Sequence, residues 1–339
     1  MTELKNLLEV TNLETTFFTD DGVVPAVDGV SFTLKEREIL GIVGESGSGK
    51  SVTSLSVMGL IPSPPGKITE GKIMFDGKDL TKLKERDLRK IRGNDIAMIF
   101  QEPMTSLNPL FTIEKQLNEA VLLHNKKWSK KQATARSIEM MKLVGLPRVE
   151  ELIKEYPHQL SGGMRQRVMI AMALVADPKV LIADEPTTAL DVTIQAQILE
   201  LMRDLNNRLN TAVMLITHDL GVVAETCERV IVMYSGQIVE QGYVKDIFKD
   251  PQHPYTQGLI KSVPDMREKK DRLYSIPGNV PKPGTIKAGC RFATRCEFAF
   301  DRCLVDEPVL YKTRENHLTR CFLHEQKESD LHGRTIAEG

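Results

Sequence analysis

Short apolar runs recur along the first part of the chain, and each has the length of a buried β-strand. The predicted strands lie near Leu8–Leu13, Ile39–Val43, Ile96–Phe100, Val180–Ala183, Val213–Thr217 and Val230–Tyr234. Stretches with helical apolar spacing separate them. Because strands that alternate with helices form parallel sheets, the pattern predicts an α/β fold with a mainly parallel sheet covered by helices.

The strand pattern stops between Pro103 and Ala176, where apolar residues recur at helical spacing instead. Three helices are predicted there: Thr112–His124, Lys130–Val144 and Ser161–Ala176. We therefore expect a helical subdomain, at about residues 103–176, inserted into the α/β core.

A second region is expected at the C-terminal end. The segment Asp250–Pro254 interrupts the pattern, and three prolines and a glycine lie within residues 275–283. The sequence thus predicts a domain over residues 1–250 and a smaller one over 251–339.

The composition, with 41% hydrophobic and 27% charged residues, is ordinary for a soluble globular protein. A net charge of −1, from 45 basic and 46 acidic residues, gives no electrostatic argument for a nucleic-acid partner. No apolar stretch approaches the roughly 18 residues of a membrane-spanning helix, and the N-terminus has no signal-peptide pattern. We expect a cytosolic chain that does not itself span a membrane, and peripheral attachment to membrane proteins remains open.

A glycine-rich loop follows the run Ile39–Val43 and precedes the predicted helix Val52–Leu60. Its residues fit the pattern G-x-x-x-x-G-K-[ST], in which backbone N–H groups surround phosphates at a helix N-terminus. The pattern comprises Gly44, Glu45, Ser46, Gly47, Ser48, Gly49, Lys50 and Ser51, and Val52 follows. Lys50 would reach the β and γ oxygens and Ser51 would bind Mg²⁺, so the loop predicts a nucleoside triphosphate site.

Polar residues at other strand ends are candidates for catalysis. Asp184 and Glu185 follow Val180–Ala183, so Asp184 could hold Mg²⁺ while Glu185 polarises the attacking water. His218 could donate to the γ-phosphate, and Gln101 could bind Mg²⁺ or water. Each of these residues alone also fits an ordinary polar group at a strand end. Their combination with the glycine-rich loop favours catalysis.

The segment Ser161-Gly162-Gly163 opens the last of the three predicted helices. Ser161 is predicted as its N-cap, and the glycines expose backbone N–H groups that could bind an anion. Simple capping of a buried helix is the alternative. Since one nucleotide rarely needs two such helix starts, we expect the phosphate of a neighbouring molecule to dock here, so that dimerisation completes the active site.

The ordered motifs resemble those of ABC transporter ATPases over roughly Leu7–Asp250. They are the glycine-rich loop, Gln101, Leu160–Gly163, Asp184–Glu185, Ala189–Asp191 and His218. This resemblance implies that two ATPase subunits sandwich ATP, with Ser161 and Gly163 on the partner's γ-phosphate. It further implies that Glu185 is the catalytic carboxylate, that His218 braces the γ-phosphate and that Asp191 communicates across the dimer.

The same resemblance places Gln101 and Glu102–Pro109 against membrane subunits, and it assigns adenine stacking to Phe17 or Phe18. The family commonly has Tyr at the stacking position and Gln after the two glycines. This chain has Phe17 and Met164 there.

Four of the five cysteines cluster near the C-terminus as C-x₅-C-x₆-C-x₁₇-C: Cys290, Cys296, Cys303 and Cys321. A cytosolic location argues against disulfides, and four thiolates suit tetrahedral Zn²⁺ or an iron–sulfur cluster. The spacings lack the C-x₂-C of structural zinc sites, so a [4Fe–4S] cluster is preferred, zinc is second, and unliganded thiols are the third alternative. Cys227 lies apart on a predicted helix.

The stretch His253–Thr256 and the four cysteines resemble the C-terminal extension of oligopeptide and dipeptide importer ATPases, a branch that includes nickel importers. Cysteines of some members bind [4Fe–4S]. The resemblance implies a peripheral ATPase on the cytoplasmic face of the membrane. Its partners would be a homologous ATPase subunit, two permease subunits and, indirectly, an extracellular substrate-binding protein, without nucleic acid. A nickel or other solute importer is the alternative, and a soluble ABC-type ATPase of translation or repair is another.

Overall fold

The computed structural model describes residues 4–101, 106–187, 191–263, 274–286 and 288–325. Two predicted motifs extend beyond these ranges: Glu102–Thr105 and Ala189–Leu190 lie outside the described residues. Within the described part of the chain, no helix is both long and apolar enough to cross a membrane.

The strands are β1 (Asn6–Thr19), β2 (Gly22–Lys35), β3 (Ile39–Val43), β4 (Gly66–Phe75), β5 (Lys78–Asp79), β6 (Ile96–Ile99), β7 (Val180–Asp184), β8 (Ala212–Thr217), β9 (Arg229–Tyr234), β10 (Gln237–Tyr243), β11 (Tyr311–Arg314) and β12 (His317–Thr319). The α-helices are α1 (Lys50–Val57), α2 (Glu85–Ile91), α3 (Ile113–His124), α4 (Lys130–Leu143), α5 (Val149–Leu152), α6 (Gly162–Leu174), α7 (Val192–Leu209), α8 (Leu220–Thr226), α9 (Val244–Lys249), α10 (Pro254–Lys261) and α11 (Asp301–Val305).

The chain divides into two compact units, and the first contains residues 1–8, 34–39 and 75–216. Its parallel strands β8, β7 and β6 pair in that order, with Val180 opposite Ala212 and Ile96 opposite Val180. Strand β7 is buried along its whole length because both of its faces carry apolar side chains. Helix α6 packs on β6, and helices α3, α4 and α6 pack against one another.

The second unit contains residues 9–33, 40–74 and 217–339. Its larger sheet has the order β11-β12-β10-β9-β3, in which β3 and β9 are parallel and the remaining pairs are antiparallel. Strands β2, β1 and β4 form a separate sheet in that order. An apolar cluster that includes Tyr234, Tyr255 and Phe292 packs beside the larger sheet.

The structure corrects the predicted sheet in two respects. The expected parallel strands are present, and Ile39–Val43 matches β3 at both ends, but β9–β12 form an antiparallel section that the apolar pattern did not reveal. Strands β2, β4 and β10 were missed, and β1 extends to Thr19 rather than ending near Leu13. The reason is that these strands carry many polar residues, which mask the apolar runs on which the prediction depended.

Candidate active site

The glycine-rich loop of the second unit has a backbone that side chains would obstruct. Gly44 has φ 154° and Gly49 has φ 98°, both in a region that favours glycine. A Cβ at Gly44 would lie 2.2 Å from the carbonyl oxygen of Met233, and one at Gly49 would lie 2.6 Å from that of Ala26. The loop can therefore follow this path only with glycine at both positions.

Lys50, near the end of this loop, is the first residue of α1, and Gly49 is the N-cap. The Lys50 side chain is buried, and its Nζ donates to the carbonyl oxygens of Gly44 at 2.7 Å and Glu45 at 3.1 Å. The ammonium group is thus held beside a helix N-terminus, where the helix dipole also favours negative charge. Ser51 lies half-buried in the first turn. The arrangement is suited to binding phosphate groups.

Contacts from the C-terminal part of the second unit support the loop. The Glu45 N–H donates to the Tyr255 hydroxyl oxygen at 2.9 Å, and the Gly236 N–H donates to the Ser48 carbonyl at 2.9 Å. Burial raises the pKa of the Tyr255 phenol far above its ordinary value. The Glu45 carboxylate also pairs with Arg295, and this hydrogen-bonded pair raises the pKa of the guanidinium.

Sequence reasoning missed Tyr255 and Arg295 as neighbours of the loop. No local pattern reveals them, because Arg295 lies 250 residues beyond Glu45 in the chain. The stretch that contains Tyr255 was noticed only as a marker of the C-terminal region.

Two further predicted site residues lie in the second unit. His218 is exposed and follows β8, and the next residue, Asp219, caps α8 by accepting the N–H groups of Gly221 and Val222. Phe17 is half-buried beside Gly66, where a Cβ would lie 2.8 Å from the Phe17 ring. His218 is thus exposed at the end of β8, and Phe17 is partly exposed, so burial alone fixes neither side chain.

The predicted carboxylates of the first unit lie at the end of β7. Asp184 is buried as the last residue of the strand, and Glu185 follows with a left-handed φ of 48°. Such a φ is uncommon for glutamate and turns the chain sharply. The Glu185 N–H donates to the Ile216 carbonyl at 2.9 Å, which continues the ladder between β7 and β8.

The structure brings Gln101 and Glu185 together. The Gln101 amide Nε2 donates to Glu185 Oε2 at 3.1 Å, although 84 residues separate them in the chain. The following residue, Pro186, accepts a hydrogen bond from the buried amide of Gln166 on α6. An oriented carboxylate next to a buried aspartate can hold a cation through oxygen ligands and accept a proton from water.

Ser161 caps α6 as predicted, because its side chain accepts the Met164 N–H at 3.3 Å. Gly162 and Gly163 form the first turn, and a Cβ at Gly163 would lie 3.1 Å from the Ile194 side chain. Asp191 caps α7 in the same way by accepting the Ile194 N–H at 3.0 Å. Two capped helix starts therefore lie near each other in the first unit.

The four C-terminal cysteines line one small cavity of about 20 Å³, enough for roughly one water molecule. Its other walls are mainly apolar and include Phe292, Phe298, Phe300 and Phe322. Burial raises the pKa of the Cys290 thiol to about 11 and that of the Cys321 thiol to about 12. Among the described residues, no three histidine, cysteine or acidic side chains are arranged to hold a metal ion.

The cavity lining supplies the donor types of a thiolate-bound metal group, four sulfur atoms and His253, but the residues that the structure describes do not form an arrangement that would hold a metal ion.

Comparison with known proteins identifies the chain's relatives. Residues 27–188 match the ABC transporter family model, and residues 239–303 match the model of the oligopeptide/dipeptide transporter C-terminal region. The oligopeptide transport ATP-binding protein AppD of Bacillus subtilis is 55% identical over 96% of this chain and 99% of its own length. The dipeptide transport ATP-binding protein DppD of the same organism is 51% identical over 96% of both chains.

Solved structures agree with this result. A dimeric ATP-binding cassette in a post-hydrolysis state, bound to ADP and Pi, has a TM-score of 0.63 and 30% identity over 70% of this chain and 98% of its own. The protein cbiO1 of Clostridium perfringens, part of the cbiONQ ABC transporter complex, has a TM-score of 0.62 and 30% identity over 73% of this chain and 92% of its own.

The fold and site thus define an ATP-hydrolysing cassette, and the chain belongs to the family of ABC transporter ATP-binding proteins. Its second matching region places it in the branch that carries the oligopeptide/dipeptide transporter C-terminal region. An ATPase dimer with transmembrane permease partners is typical of this family.

Proposed function

We propose that this chain binds and hydrolyses ATP to power the import of di- and oligopeptides across the cytoplasmic membrane. The observation that carries the solute class is the match of residues 239–303, which agrees with the peptide transport names of the relatives. ATP binding closes a dimer of ATPase subunits, the permease subunits change the side to which they open, and hydrolysis reopens the dimer. The free energy of ATP binding therefore drives dimer closure, and ATP hydrolysis then returns the transporter to its starting state.

The proposed domains are an ABC ATPase domain over residues 1–250, with a helical subdomain at about 103–176, and a C-terminal extension over 251–339. Helices α3, α4 and α6, which pack against one another, support the subdomain. The segment of the family match that begins at residue 239 supports the extension.

In the second unit we assign ATP binding to the glycine-rich loop, residues 44–51, and to Val52. Lys50 contacts the β and γ oxygens, Ser51 is a Mg²⁺ ligand, and Phe17 stacks on adenine. His218 braces the γ-phosphate. The support is the glycine-dependent loop path and the position of Lys50 at the start of α1.

In the first unit we assign Glu185 as the catalytic carboxylate that accepts a proton from the attacking water. Gln101 orients this carboxylate, and Gln101 and Asp184 are Mg²⁺ ligands. Ser161, Gly162 and Gly163 bind the γ-phosphate held by a partner subunit, and Asp191 communicates with that partner. The Gln101–Glu185 hydrogen bond and the capped start of α6 support these roles.

The proposed partners are a homologous ATPase subunit, identical or related, two permease subunits and, through them, an extracellular substrate-binding protein. This places the chain at the cytoplasmic face of the membrane as a peripheral protein. Pull-down from solubilised membranes tests the assembly. Co-purification with polytopic subunits is expected, whereas exclusive association with ribosomes or DNA would identify a soluble ABC-type ATPase of translation or repair.

Uptake assays test the transported solute. A strain that lacks this chain should lose uptake of labelled di- and oligopeptides, and the wild-type chain should restore it while Lys50→Ala should not. If the strain that lacks this chain takes up peptides normally but loses nickel uptake, the chain is a nickel importer ATPase and the peptide assignment is wrong.

We also propose that Cys290, Cys296, Cys303 and Cys321 hold a [4Fe–4S] cluster, with zinc as the second choice. When bound, such a cluster would supply four metal–sulfur links in a region that has a small apolar core. The four cysteines that line one cavity support this ligand set.

Metal analysis of anaerobically purified protein tests the ligand set. Iron, sulfide and broad visible absorption are expected, and Cys303→Ser should lose them. Cys227→Ser is the matched control, since Cys227 follows the end of α8 and does not line that cavity, and it should retain them. Stoichiometric zinc without iron would overturn the cluster, and absence of both metals would overturn the site.

A further inference from the structure

The glycine-rich loop contains an acidic residue next to its first glycine, and that residue is paired with an arginine from far along the chain. Arg295 Nη1 lies 2.7 Å from Glu45 Oε2, and Nη2 lies 3.1 Å from Oε1. This bidentate geometry fixes the position as well as the charge of the carboxylate. The Arg295 side chain is only 4% exposed, whereas that of Glu45 is 32% exposed.

Arg295 itself is held firmly. Its Nε donates to the Pro277 carbonyl at 2.9 Å, and its guanidinium lies 5.8 Å and 5.9 Å from the ring centroids of Tyr234 and Phe292. It ends a short 3₁₀ turn, Ala293–Arg295. Since these contacts limit its rotamers, little conformational entropy remains to be lost when it pairs with Glu45.

The backbone of Glu45 is anchored from the same side. Its N–H donates to the Tyr255 hydroxyl oxygen, and Tyr255 packs edge-on against Tyr234 with 4.7 Å between ring centroids. Both the main chain and the carboxylate of Glu45 therefore depend on residues beyond β9.

We propose that Arg295 is a positioning residue for nucleotide binding, which neutralises Glu45 and holds it away from the triphosphate. The C-terminal segment, defined as residues 274–286 and 288–325, then supplies one residue, Arg295, to the nucleotide site. The physical reason is charge. Without Arg295, an unpaired carboxylate would lie beside a loop that must bind a polyanion. The proposal rests on ATP binding and is independent of which solute the transporter carries.

Binding of a fluorescent ATP analogue, mant-ATP with Mg²⁺, to the purified full chain tests this role. Arg295→Gln should raise the Kd for mant-ATP about five- to tenfold. The kcat for ATP hydrolysis, measured separately at saturating ATP, should stay within about twofold of the wild-type value. Because the effect is repulsion between charges near the surface, it should shrink at high salt. Arg295→Lys should keep part of the affinity, since it retains the charge and loses the bidentate geometry.

Glu45→Gln separates positioning from general stability. In protein that already carries Glu45→Gln, the further change Arg295→Gln should raise the Kd by less than about twofold relative to Glu45→Gln alone. The reason is that no carboxylate remains to repel the phosphates. Arg320→Gln is the matched control. Arg320 also belongs to the C-terminal segment but donates to the Ile238 and Pro308 carbonyls, so its loss should lower the melting temperature without changing the Kd.

Two results would overturn the proposal. One is an unchanged Kd in Arg295→Gln. The other is a loss of affinity that is equally large with and without the Glu45→Gln substitution and that does not respond to salt, which would reduce Arg295 to a structural residue. Neither result would bear on peptide uptake, which is measured separately in cells.

Discussion

At the scale of single residues, the sequence predicted the glycine-rich loop between β3 and α1, but it did not predict the side-chain pairs that the fold forms. The spacing of Gly44, Gly49 and Lys50 reflects a local requirement, since both glycines have a positive φ that other residues rarely adopt. The Gln101–Glu185 hydrogen bond and the Glu45–Arg295 pair depend instead on residues distant in sequence. Spacing rules cannot reveal such pairs, because only the fold brings their members together.

Lys50→Ala should weaken nucleotide binding itself. The Nζ group lies at the loop carbonyls of Gly44 and Glu45, and its removal eliminates a charge-assisted hydrogen bond to phosphate. We expect the Kd for mant-ATP to rise about 30- to 100-fold, which corresponds to about 2–3 kcal/mol. Lys67→Ala, which alters an exposed lysine on β4, is the control and should bind normally. Equal affinity in the two variants would contradict the role of Lys50.

At the scale of elements, burial decided which strands were predictable. Strand β3 is buried at every position, so its apolar run is unbroken and both of its ends were predicted correctly. Strand β10 is also largely buried, but it was missed because Gln237, Glu240 and Gln241 interrupt its apolar run. The side chains of Gln237 and Glu240 find partners in the fold, and the sequence does not display those partners.

Glu240→Ala should destabilise the second unit strongly. Glu240 is fully buried, accepts the N–H groups of Gln252 and His253 at 2.7 and 2.9 Å, and lies 2.6 Å from His317 Nε2. Its removal leaves these buried donors without an acceptor, which should cost about 3–5 kcal/mol. Urea denaturation measures the loss. Glu315→Ala, at an exposed position next to β12, should change stability by less than about 0.5 kcal/mol.

The start of α6 allows a test of the proposed contact with a partner's nucleotide. Ser161→Ala removes an N-cap and should cost about 1 kcal/mol of stability, and Ser129→Ala removes the N-cap of α4 at a similar cost. Only Ser161→Ala should also lower steady-state ATP hydrolysis, by about tenfold or more, because it alone removes a phosphate contact. ATPase activity that falls equally in both variants would show that the loss is one of stability.

At the scale of the whole molecule, the ordered motifs identified the family from sequence, and the comparisons with known proteins confirm it. The sequence did not indicate that the C-terminal segment contacts the glycine-rich loop. That contact is made by Arg295, which pairs with Glu45 and lies beside the rings of Tyr234 and Phe292. A region recognised by its prolines, its four cysteines and the neighbouring stretch His253–Thr256 thereby becomes a structural support of the nucleotide site.

The most direct measurement of the central claim is ATP turnover by Glu185→Gln. The amide keeps the shape and the contact with Gln101 but cannot accept a proton from water. We expect ATP binding with an affinity near that of the wild type, hydrolysis slower by at least about 100-fold, and unhydrolysed ATP recovered from the desalted protein. Glu151→Gln, which alters an exposed carboxylate on α5, should hydrolyse ATP normally. Undiminished hydrolysis by Glu185→Gln, with ADP recovered from the protein, would contradict the account.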